Sequence, residues 1–158
     1  MTSFAHKLSF LMGEALIEAE KAYLNDEVPV GALIICDKTH DIIARAHNVM
    51  HHGNDPTGHA EILAIRQAAQ QIKTSHLRGY SLIVTLEPCA MCAAAASHAR
   101  LDRVIFGAYD LKSGGIENGV RAYSHASLHH KPDVIGGILE SDCATLMKKY
   151  FQQKRADK

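Results

Sequence analysis

SLIVTLEPCAMCAAAASHARLDRVIFGA, residues 81–108, holds two short apolar runs separated by a stretch of small residues. SLIVTL at 81–86 and RVIFGA at 103–108 are rich in branched and aromatic side chains and too short for stable helices, so each reads as a buried strand. Between them, CAMCAAAASHAR has no glycine or proline and is dominated by alanine, the strongest helix former. Strand, helix and strand in succession imply a parallel crossover, which requires helices packed on the sheet.

Working outward, HAEILAIRQAAQQI from His59 has the same helical character. It follows the loop HHGNDPTG and the strand DIIARAH. VPVGALIIC reads as a buried strand that turns at Asp37 to His40 and pairs antiparallel with DIIARAH. Upstream, Phe4, Leu8, Leu11, Met12, Ala15, Leu16, Ala19 and Tyr23 recur at intervals of three and four, as on one face of an amphipathic helix. Downstream, residues 112–132 are irregular and DVIGGIL offers a short edge strand. SDCATLMKKYFQQKR reads as a closing helix capped by Ser141. The sum is an α/β fold: one domain over 1–158, a three-layer α/β/α sandwich around a mixed sheet of about five strands.

The bulk composition narrows the function. The 158 residues are 47% apolar and 22% charged, ordinary for a globular chain. With 17 basic and 17 acidic residues, no global field recruits a polyanion, so nucleic-acid contact requires a local patch. No run approaches the roughly 20 apolar residues of a membrane span, and MTSFAHKLSF lacks a basic head and a signal-type cleavage site. A cytoplasmic protein is expected. In that reducing setting the four cysteines are not read as disulfides. Cys36 and Cys143 read as small core residues.

Cys89 and Cys92 stand three apart at a helix start, behind Pro88. The helix dipole there favours thiolates. C-x-x-C serves redox pairs, closed structural zinc sites and open catalytic ones. No other cysteine or histidine falls at finger-like spacing to close a fourth position. His59 opens the preceding helix as Cys89 opens its own, and two such starts emerge at one sheet edge. Glu61, two residues on, is turned about 200° from His59 on a regular helix. It suits a base beside a metal better than a second ligand to it.

His59-Ala60-Glu61 followed by Pro88-Cys89-Ala90-Met91-Cys92 matches the signature of zinc-dependent base deaminases. Beyond it, DEVPVGALI (26–34), AHN (46–48), DPTGHAEILAIRQA (55–68), VTLEPCAMCAAA (84–95), RVIFGAYD (103–110) and the aromatic-basic closing helix stand in the order and spacing of a family. The chain resembles the bacterial tRNA adenosine deaminases. One segment, LKSGGIENGVRAYSHASLHH at 111–130, follows their glycine-rich pattern only in part.

The resemblance implies a cytidine deaminase-like fold and hydrolytic conversion of a wobble adenosine to inosine in a tRNA anticodon stem-loop. It implies one zinc per subunit on His59, Cys89 and Cys92, with Glu61 as proton carrier and no organic cofactor. Asn48 would read the base edge, and Val30, Glu27, Leu86 and Asp110 would surround the base. Lys149, Tyr150, Phe151, Lys154 and Arg155 would hold RNA, where their other reading is a solvated helix end. A homodimer is also implied, and the small side chains of Ala93 to Ala96 would permit close approach of another element. Two rival readings share parts of this pattern: a deaminase of free cytosine, guanine or a nucleoside, and a catalytically silent zinc-stabilised RNA-binding module. Glu61 argues against the second, because binding alone does not require that carboxylate.

Overall fold

The structure, a computed structural model, describes residues 3–158. Its sheet has the strand order β2-β1-β3-β4-β5, with β1 at Gly31–Cys36, β2 at Ile42–His47, β3 at Tyr80–Leu86, β4 at Arg103–Ala108 and β5 at Asp133–Ile135. β1 runs antiparallel to both β2 and β3, while β3, β4 and β5 run parallel. The sheet is therefore mixed. The helices are α1 at Phe4–Leu24, α2 at Ala60–Ile72, α3 at Ala90–His98 and α4 at Glu140–Ala156.

Alternation along the strands builds the three layers. Ala32, Ile34, Leu82, Val84, Val104 and Phe106 enter one apolar cluster with Ala64 and Ala68 of α2 and Ala93 and Ala96 of α3. The residues between them, Leu33, Ile35, Ile83 and Ile105, pack on the other face with Leu8, Leu11, Met12 and Ala15 of α1 and Cys143 of α4. β1, β3 and β4 are buried on both faces, and that explains their continuous apolar character.

α1 is capped by Ser3, whose hydroxyl accepts from the His6 amide at 3.2 Å. It crosses the sheet at Gly31, where an added Cβ would lie 2.0 Å from the Ala15 carbonyl oxygen. Only glycine fits that approach. The start of α4 departs from the sequence reading. Its cap is Leu139 in the left-handed region, with no side-chain capping bond, and Ser141 lies inside the first turn. Glu140 and Asp142 there complement the helix dipole instead.

In the small-residue run of α3, Ala93 and Ala96 are buried in this chain's own core, while Ala94 and Ala95 are partly exposed. Among the described residues no helix is long and apolar enough to cross a membrane.

Candidate metal centre and substrate cleft

Topology brings the chemistry together. β2 and β3 both run opposite to β1, so they point the same way, and the helices that follow them start at one edge of the sheet. His59 is the cap residue of α2 and Cys89 that of α3. Neither makes a side-chain capping bond. Imidazole and sulfur are thus available to the cleft between the helices. Cys89 stands at the cap rather than inside the first turn, which moves Pro88 one position before the helix.

His59 Nδ1 lies 3.6 Å from Cys89 Sγ and 3.5 Å from Cys92 Sγ. A tetrahedral zinc with Zn–S near 2.3 Å and Zn–N near 2.0–2.1 Å separates its sulfur and nitrogen ligands by about 3.6 Å. The two nitrogen–sulfur edges of the donor triangle therefore have the lengths, and its donors the soft-borderline chemistry, that zinc takes. These three ligand atoms lie within 4.8 Å of one another, a grouping that does not include Glu61. The bond from Cys92 and the nearby His59 bring Cys89 down to about 4, and Cys92 is pushed up in return. His59 is raised, chiefly by its bond to Cys89. A bound dication would hold both cysteines as thiolates and His59 neutral.

Beside it, Glu61 is buried, and burial pushes its carboxyl up to about 7. It lines a cavity of about 160 Å³ with Val28, Val30, Asn48, Met50, His59, Leu86, Glu87, Cys89, Asp110 and Ser113. That is small beside the roughly 300–1,000 Å³ of ordinary small-molecule sites. It suits one flat base, with the rest of a polymer left outside.

Asn48 Oδ1 accepts from the Ala60 amide at 2.7 Å, which satisfies the start of α2 from outside the helix. Val30, Leu86 and Asp110 line the cavity wall. Glu27 does not. It is buried behind the wall, where its carboxylate accepts from the His51 amide at 2.7 and 3.1 Å and so fixes the segment carrying Met50. Burial of the Glu87 carboxyl opposes its charge, but hydrogen bonds from Asn118 and the amides of Asp110, Asn118 and Ile116 outweigh this and hold it low. The sequence reading passed over Glu87, although it stands directly before Pro88-Cys89.

The cavity opens onto a groove of about 430 Å³ that shares Val28, Leu86, Asp110 and Ser113 with it. A further groove of about 410 Å³ continues along α4, lined by Lys112, Met147, Lys148, Phe151, Gln152 and Arg155. Of the five residues assigned to RNA, Phe151 and Arg155 lie on this path. Tyr150 is buried, packed edge-on against Tyr23, and cannot offer a stacking face. Lys149 sits over the Tyr23 ring in a groove between α1 and α4 that shares no wall residue with the cleft. Lys154 is paired with Asp26. Lys112 and Lys148 are on the path instead; Lys112 comes from the loop after β4, too far along the chain from the terminal basic run to be grouped with it.

Comparison with known proteins places this geometry. Residues 5–108 match the family described as the cytidine and deoxycytidylate deaminase zinc-binding region. A tRNA-specific adenosine deaminase of Agrobacterium fabrum is 47% identical over 143 residues, covering 90% of this chain and 93% of that protein. One from Bacillus subtilis is 38% identical, covering 93% and 90%. A solved structure from work on A-to-I editing by tRNA:A34 deaminases at the wobble position superposes with a TM-score of 0.84 at 47% identity, over 87% of this chain and 98% of that one. A guanine deaminase from Nitrosomonas europaea, 20% identical, shares the fold with a TM-score of 0.79 over 95% of this chain and 85% of that one.

Proposed function

This chain belongs to the zinc-binding cytidine and deoxycytidylate deaminase family, in its tRNA-specific adenosine deaminase branch, and from that membership we propose that it hydrolyses the wobble adenosine of a tRNA anticodon to inosine. Water replaces the 6-amino group and ammonia leaves. The observation that carries the reading is the union of a base-sized cavity, lined by buried Glu61 and by His59 and Cys89 of the triangle that Cys92 completes, with an open cationic groove beyond it.

Zinc, when bound by His59, Cys89 and Cys92, supplies a Lewis acid that makes hydroxide available near neutral pH. Two thiolates offset the charge of the dication, so more of the proton handling falls to Glu61. Its carboxyl, raised by burial, is suited to accept and return a proton near neutrality. It takes a proton from the attacking water and gives it to N1 of the adenine, then takes the second proton from the new C6 hydroxyl and passes it to the amine, so that C6=O forms as ammonia leaves. Asn48, with Oδ1 engaged by Ala60, has its Nδ2 donor left for an acceptor on the base. Val28, Val30 and Leu86 flank the ring and exclude water.

Outside the cavity, Lys112, Lys148 and Arg155 suit phosphates and Phe151 suits a splayed neighbouring base. The enzyme acts in the cytoplasm with one zinc per chain and as a homodimer, for which light scattering should give twice the chain mass. The deciding assay is inosine formation in an anticodon stem-loop beside free cytosine, guanine and cytidine. Turnover of the stem-loop alone is expected; turnover of a free base or nucleoside without the stem-loop overturns the reading.

A further inference from the structure

Glu87 is 2% exposed, and both its carboxylate oxygens are taken up by one loop. Oε1 accepts from the Asp110 amide at 3.1 Å and from Asn118 Nδ2 at 2.7 Å. Oε2 accepts from three successive amides, Ile116 at 3.1 Å, Glu117 at 2.9 Å and Asn118 at 3.1 Å. Such a run of amides is an anion nest, here filled by a side chain.

The loop is tied to the metal-bearing helix on its other side. The Gly115 amide donates to the Pro88 carbonyl at 2.8 Å, and an added Cβ on Gly115 would lie 2.5 Å from the Ala90 nitrogen. Asp110 accepts from the Ser113 amide at 2.9 Å, and both residues line the base cavity. One carboxylate thus joins the wall formed by Asp110 and Ser113 to the peptide that presents Cys89.

We propose that Glu87 is a positioning residue for the reaction: acting through the Asp110–Asn118 loop, it sets the distance between the cavity wall and the metal-bearing turn. With its oxygens occupied, it holds the wall and does no proton transfer. The proposal rests on the deaminase reading for its kinetic consequence, but not for its structural one.

Glu87→Gln turns an amide donor toward donors, and Asn118→Asp sets carboxylate against carboxylate. Combined, they restore one donor and one acceptor. Amide exchange on the zinc-loaded protein should show protection at residues 116–118 reduced about tenfold or more in each single variant, with β3 and α2 unchanged. The kcat for stem-loop deamination should fall about 10–100-fold, as is usual for supporting residues around a metal site, while KM stays within about threefold. The double variant should regain part of the lost kcat and protection, the Asp110 amide being left facing the new donor. Unchanged loop exchange, a change in KM alone, or a double variant no better than the worse single one overturns the proposal. If Glu87→Gln fails to fold, Asn118→Asp, a change at the half-buried partner of Glu87, decides by the same readings. If the wild type forms no inosine, the deaminase reading falls, and loop exchange decides alone whether Glu87 holds the wall.

Discussion

Asn48 Oδ1 caps the first turn of α2 through the Ala60 amide at 2.7 Å, so a residue at the end of β2 fixes the helix that carries Glu61. The same side chain lines the base cavity. In the proposed reaction, capping and base reading are two separable tasks of this one amide.

Asn48→Asp keeps the capping oxygen and loses the donor, whereas Asn48→Ala loses both. The alanine variant should be less stable by about 0.5–2 kcal/mol, as for other lost caps, and the aspartate variant should keep most of its stability in urea titration. Both should lose stem-loop deamination. Full activity in the aspartate variant would show that Nδ2 does not read the base.

Glu61→Gln should retain fold and zinc but lose about 10²- to 10⁴-fold in kcat, because the amide cannot carry the proton. Single-turnover inosine formation measures this directly. A near wild-type rate would remove Glu61 from the mechanism.

Purified protein should contain one zinc per chain by elemental analysis, and cobalt exchanged into the site should give the absorption of a site with two thiolate ligands. Cys92→Ala should lose the metal, since two remaining ligands do not hold it against a chelator. Zinc retained in that variant would mean a different ligand set.

Lys112→Ala, Lys148→Ala and Arg155→Ala should each lower the log-log salt slope of stem-loop binding by about 0.7, one phosphate contact on a single strand. Lys149→Ala should leave it unchanged, because that ammonium lies over Tyr23 outside the cleft. Fluorescence anisotropy across a salt series separates the two groups. The reverse pattern would move the RNA path onto the α1 side of α4.

Gly31→Ala should destabilise the fold by about 1–3 kcal/mol through overpacking. The new methyl would press on the backbone of α1 at Ala15 and Ala19. A melting temperature equal to wild type would show that α1 shifts without penalty.

The sequence by itself determined the order and type of the elements and the residues able to hold zinc. Both are local signals. Strand and helix periods are written in neighbouring residues, and His59, Cys89 and Cys92 stand at helix starts that the alternation of elements brings to one sheet edge. Tertiary structure alone decided which side of each element faces the cleft. The terminal basic run looks uniform in sequence, yet docking of α4 on the sheet and α1 buries Tyr150, turns Lys149 toward Tyr23 and leaves Phe151 and Arg155 on the groove. Glu27 and Glu87 are equally acidic residues beside equally apolar strands. One ends behind the wall on the His51 amide and the other anchors the loop that forms it. A carboxylate's role follows from the amides it meets, and those amides lie 23 to 31 residues away, beyond the reach of any local pattern.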